Sequence, residues 1–103
     1  MINIPNIDDC VIEIQLYDKP DIVFNGIEIA NQDGCHFVYV TNKGDFVCLI
    51  DDFIDKKACV AKTEKEIVNF FGFGVYAKHL YRKIGIDKDL YITDLSKWVK
   101  NIL

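Results

Sequence analysis

The chain has 103 residues, half of them hydrophobic and 27% charged, with a formal net charge of -4. That composition excludes a disordered or low-complexity chain and fits one domain, able to bury roughly two thirds of its unfolded surface. No apolar run approaches the roughly 20 residues a membrane-spanning helix needs, and the acidic start MINIPNIDDC lacks the basic and apolar regions of a signal peptide, so the cytoplasm is the expected location.

Residues 7–17 (IDDCVIEIQLY) fit two templates. Asn6 followed by Asp8 and Asp9 resembles a helix start, with Ile7, Cys10, Val11 and Ile14 on one stripe. Ile12, Ile14 and Leu16 alternating with Glu13 and Gln15 instead make a half-buried strand. The capping residues and early acids favour the helix and the β-branched residues oppose it; Pro20 closes either element.

Residues 21–30 (DIVFNGIEIA) read as one or two short strands around a tight turn at Asn25–Gly26, and residues 31–34 as a second turn. The strongest local signal follows. Runs rich in β-branched and aromatic residues, 36–41 and 45–50, flank Asn42, Lys43 and Gly44, where glycine supplies the positive φ of a three-residue hairpin loop. Thr41 opposite Asp45 puts Tyr39 against Val47, Phe37 against Leu49 and Cys35 against Asp51 on one face. Val40, Val38 and His36 then meet Phe46, Cys48 and Ile50 on the other. The expected sheet is antiparallel, of three or four strands, and ends at Asp51, Asp52 and Asp55.

From Lys56 the hydrophobic period lengthens toward 3.6 and helices are expected. Thr63 and Glu66 form a capping box for a helix over about 64–71 that stops at Gly72. A second spans about 75–84, with Tyr76, Ala77, Leu80 and Ile84 as its apolar stripe, Lys78, Arg82 and Lys83 as its basic side and Gly85 as its end. Thr93 or Asp94 caps a third over about 94–102, carrying Leu95, Trp98, Val99 and Ile102. The fold class is therefore α+β.

Charge is divided along the chain. Up to Asp55, eleven acids stand against Lys19 and Lys43; beyond it, ten bases stand against five acids. A dipolar surface with one face suited to a basic partner follows, weighed against an ordinary solvated surface. Chemical motifs are absent by contrast. Cys10, Cys35, Cys48 and Cys59 form no CxxC pair and read as reduced core residues, not as a disulfide framework or a zinc site. His36 falls on an apolar strand face without a nucleophile at usable spacing, and His79 sits among bases on a solvated helix side. Residues 51–55 (DDFID) lack the alternating acids and internal glycine of a calcium loop, and as a carboxylate pair they have no constrained geometry. FGFG at 71–74 joins two helices and lacks the lysine of a phosphate loop. No cofactor, metal or catalytic set is expected, and the protein is read as a non-enzyme. The alternative function is a small regulatory module that binds nucleic acid or another protein through the basic C-terminal helices, with Lys88, Lys97, Lys100, Tyr81 and Trp98 beside the basic side of the second helix; for nucleic acid it is opposed by a pI near 5.0.

The hairpin remains the best functional candidate. If all the helices dock on one face, Phe37, Tyr39, Val47 and Leu49 stay exposed between Asp45 and Asp51, an apolar centre with an acidic rim. If the N-terminal segment covers that face, the hairpin is scaffold.

Small size, an acidic sheet half, reduced cysteines and no catalytic set together resemble the small cytosolic immunity proteins of bacterial toxin systems, including those of contact-dependent growth inhibition. The resemblance is one of type, carried by no motif. It implies an inhibitor that binds the basic active-site cleft of a toxin such as a nuclease, with acids standing where substrate phosphates would lie. The residues assigned to partner binding are Asp33, Phe37, Tyr39, Asp45, Asp51, Asp52 and Asp55.

Overall fold

The computed structural model describes residues 6–52 and 54–97. Five antiparallel strands, each paired with the next in sequence, form the sheet: β1 (Val11–Ile14), β2 (Ile22–Gln32), β3 (His36–Thr41), β4 (Phe46–Asp51) and β5 (Lys56–Ala61). Two helices follow, α1 (Glu64–Phe71) and α2 (Val75–Ile84). The class is α+β, as expected, with more strands than the three or four anticipated.

The β3–β4 hairpin has the register its side chains call for. Phe37 faces Leu49, Val38 faces Cys48 and Tyr39 faces Val47. The Thr41 N–H donates to the Asp45 carbonyl at 2.8 Å, with Gly44 at φ 85°, and at the other end the Asp51 N–H donates to Cys35 at 2.8 Å. Because the pleat alternates, Val38 and Cys48 point to one face and Tyr39, Val47 and Leu49 to the other.

Each face has its own cover. The Val38 and Cys48 face lies under α1 and α2, where Ile67, Val68, Leu80 and Tyr81 complete the larger core. The Thr63 hydroxyl accepts from the Glu66 N–H at 3.2 Å, and the Glu66 carboxylate accepts from the Lys62 N–H at 3.0 Å, so the capping signal sets the start of α1. Gly85, in the left-handed region at φ 74°, ends α2.

The opposite face is covered by the N-terminal segment, as strand and not as helix. Asn6 does cap, its side chain accepting from the Asp8 N–H at 3.1 Å, but only one 3-10 turn follows (Ile7–Asp9) before β1 begins. β-branched Val11, Ile12 and Ile14 favour the extended chain, and pairing with β2 places Ile12 opposite Phe24 and Ile14 opposite Ile22 on one side. These residues and Leu16 pack on Tyr39, Val47 and Leu49. The sheet curls to allow this.

That curl corrects the expected turn at Asn25–Gly26, which lies within one continuous 11-residue strand. Gly26 is buried where β2 leaves β3, and a Cβ there would strike the Val40 carbonyl oxygen and the Phe24 ring. A register shift between Glu28 and Ala30 adds a further irregularity. The turn over 31–34 is tighter than expected: Asp33 (φ 55°) and Gly34 (φ 70°) connect Gln32 to Cys35.

The sheet also continues past the acidic cluster. Asp51, Asp52 and Asp55 mark a turn, after which β5 pairs with β4 from Lys56 opposite Asp51 to Ala61 opposite Phe46. Its small residues and two leading lysines weaken the strand signal, as befits an edge. Of the third helix expected over 94–102, a 3-10 turn at Leu95–Lys97 is seen, with Asp94 accepting from the Ser96 N–H at 2.9 Å; residues 98–102 lie outside the described residues.

Candidate functional site

The hairpin separates the seven candidate residues. Asp45 closes the β3–β4 loop, whereas Asp33, Asp51, Asp52 and Asp55 stand at the far end, roughly 20 Å away for six residues of strand. Asp45 instead shares a shallow depression with Asn42, Lys43, Phe24 and Val60. Tyr39, only 9% exposed and edge-on to Phe24 at 5.7 Å between ring centroids, is covered by β1 and β2 and is not available as a surface anchor. Phe37, half-buried and stacked on Tyr39 at 6.4 Å, belongs to the same layer.

Four acids remain together. Asp33, Asp51 and Asp52 line a depression with Tyr17, Gly34 and Cys35, and Asp55 closes the adjoining turn by accepting the Asp52 N–H at 2.9 Å. Topology accounts for the gathering. The β2–β3 and β4–β5 turns lie at the same end of the sheet, and the curl of β1 and β2 brings Tyr17, just beyond β1, back to them. Tyr17 is 77% exposed and Ile54, between Asp52 and Asp55, 95% exposed. Both escaped the sequence reading. The only available cues were an aromatic just before the Asp18–Lys19–Pro20 break and an isoleucine in a run of acids.

Local bonds hold these carboxylates in place. Asp52 Oδ1 accepts from the Ile54 N–H at 2.9 Å and the Asp55 N–H at 2.6 Å, and those two bonds, the Asp55 one foremost, hold its carboxyl below the usual range. Asp33 accepts from Gln32 Nε2 at 3.1 Å. Asp51 pairs with Lys56 at 3.8 Å, and the same ammonium lies 5.7 Å from the centre of the Tyr17 ring. Lys56 thus offsets one charge, while Asp52 and Asp55 are exposed.

Behind this end, His36 faces the helices and packs on Phe71 at 5.4 Å. Burial pushes its imidazole below the ordinary pKa, partly opposed by Asp52 and Asp33, and its Nδ1 is buried without a hydrogen-bond partner among the described residues. Neutral imidazole is the form this setting favours. Beyond the Asp33–Gly34 turn, Gln32 and Asp33 meet Tyr76, His79, Arg82 and Lys83 of α2 in a second, open depression. Lys83 Nζ donates to the Asn31 carbonyl at 3.3 Å. Among the described residues there is no group of three or more His, Cys, Asp or Glu side chains placed to hold a metal ion. Nor is any helix of the described residues long and apolar enough to cross a membrane.

No protein family, curated protein or solved structure matches this chain.

Proposed function

We propose that the protein is a non-enzymatic inhibitory binding protein of the cytoplasm, of the immunity type, which covers the active site of a basic toxin with the acidic end of its sheet. One observation carries the reading: Asp33, Asp51 and Asp52 converge from two turns around exposed Tyr17, with Asp55 bonded to Asp52 in the adjoining turn. Acids around an aromatic anchor complement a cationic cleft built for phosphates, steering encounter by charge and gaining residence from apolar contact. A nuclease has such a cleft. The anchors in this reading are Tyr17 and Ile54, replacing Phe37 and Tyr39.

The test is capture of a basic partner from native cells by the tagged chain, followed by association kinetics. The triple variant Asp33→Asn, Asp52→Asn, Asp55→Asn removes three charges while keeping a residue tolerant of positive φ at 33 and a side-chain oxygen for the turn at 52. A drop of tenfold or more in association rate at low salt is expected; an unchanged rate sinks the reading.

A second reading has its own observation. α2 contains no acid, and its Tyr76, Arg82 and Lys83 border one open depression, an arrangement suited to a nucleic-acid backbone. Retardation of RNA or DNA at low salt that disappears with Arg82→Ala and Lys83→Ala would favour it over the first.

A further inference from the structure

Cys48 and Cys59 are direct register partners across β4 and β5. The Asp52 N–H donates to Asp55 at the turn, so alternation along an antiparallel ladder makes Ile50–Lys57 and Cys48–Cys59 hydrogen-bonded pairs. In such a pair the Cα atoms stand about 5.5 Å apart, inside the span of a disulfide. The two side chains share the helix-side core: Cys48 is fully buried and Cys59 half-buried.

We infer that Cys48 and Cys59 form an oxidative modification site, closing a cross-strand disulfide when the protein meets a small-molecule disulfide such as oxidised glutathione. Cys59 is the point of entry because it is the partly accessible thiol, on a strand that among the described residues pairs with β4 alone. After giving its proton to solvent, its sulfur attacks one sulfur of the reagent, expels a thiolate and leaves a mixed disulfide. Cys48 then loses its proton, attacks Cys59 Sγ and expels the second thiolate. The protein loses two electrons and two protons, and the reagent becomes two thiols.

The chemistry of the pair supports this order. Burial raises both thiols, Cys48 the more, so Cys59, the less buried of the two, more readily supplies the attacking thiolate. Cβ atoms in a hydrogen-bonded pair stand near 5.5 Å, whereas a disulfide prefers about 3.5–4.5 Å, so closure draws β5 inward by about 1 Å. An edge strand can make that movement. The resulting bond is strained and easily reduced, as reversible disulfides are. Cys10 lies beside the 3-10 turn, its Sγ donating to the Asn6 carbonyl at 3.5 Å, and Cys35 lies at the acidic end, so neither competes for Cys48.

The test uses the folded full chain carrying Cys10→Ser and Cys35→Ser. After incubation with oxidised glutathione, free thiols are alkylated and the intact mass and peptide map are read. The expected product is lighter by two hydrogens, takes up no alkylating agent until reduced, and then takes up two equivalents; its map contains a peptide joining Cys48 to Cys59. The unaltered chain should yield the same joined peptide, and Cys48→Ser should stop at the glutathione adduct on Cys59. Two free thiols after oxidation of the folded chain, or a lasting glutathione adduct that never closes while Cys48 is present, would overturn the proposal.

Discussion

Replacing Gly26 by alanine tests the curl on which the placement of the site depends. Gly26 does not have a positive φ, so backbone freedom is not what the position requires. It requires space: a Cβ meets the Val40 carbonyl oxygen and the Phe24 ring. Either β3 shifts or Phe24 swings away, and the latter weakens the edge-on contact with Tyr39. Overpacking of this kind costs about 1–3 kcal/mol, and a displaced aromatic pair adds about 0.5–1.5 kcal/mol. For a domain of this size the lower part of that range already corresponds to a fall of roughly 5–10 °C in the unfolding midpoint. The control expectation has the opposite sign, since alanine at an unobstructed strand position is more stable than glycine by about 0.5–1 kcal/mol. Thermal and urea unfolding read the outcome. A midpoint unchanged or raised in Gly26→Ala would mean that β2 does not fold over β3 at this point.

Three further perturbations probe the two cores. Ile14→Ala, at a position 4% exposed on the inner side of β1, should cost about 2–4 kcal/mol by urea unfolding; a loss under about 0.5 kcal/mol would place β1 away from Tyr39. Tyr81 is fully buried, and burial foremost, with a contribution from Cys48, pushes its hydroxyl pKa up to about 12; that hydroxyl donates to the Gly72 carbonyl at 2.5 Å. Tyr81→Phe should cost about 1–3 kcal/mol by leaving that carbonyl without its partner, and no measurable loss would show the bond to be dispensable. His36 has a folded pKa below the ordinary 6.5, so the unfolded chain binds the extra proton first and stability falls as pH drops below about 6.5. His36→Phe, which keeps the ring against Phe71, should flatten that part of the stability profile measured between pH 7.5 and 5; an identical slope would assign the acid sensitivity to other groups.

The parts of the fold legible in sequence are those where local chemistry and tertiary packing agree. Gly44 at the loop, alternation through Val38 to Val40, Thr63 with Glu66, and Gly85 each carry a short-range requirement, and the structure meets all of them. Failures fall where a residue serves a distant neighbour. Gly26 makes room for Val40, fourteen residues on, although beside Asn25 it has the signature of a turn. Asn6 and the early acids produce one 3-10 turn, because Ile12 and Ile14 gain more by covering Tyr39 and Val47 than a longer helix would. β5 was hidden by the change of charge at Lys56, which coincides with an edge strand instead of a helix start. The acidity of the candidate site was visible, but its assembly was not. Asp33, Asp51, Asp52 and Asp55 meet only because two turns share one end of the sheet, and Tyr17 joins them only because the sheet curls.

Association of the captured basic partner, measured against ionic strength for the unaltered chain and for the variant Asp33→Asn, Asp52→Asn, Asp55→Asn, tests the central claim most directly. The account predicts a steep fall in the unaltered chain's association rate with salt, a much shallower one for the variant, and convergence of the two near 1 M, where screening reaches about 3 Å. Parallel curves would contradict it, placing the partner elsewhere on the molecule.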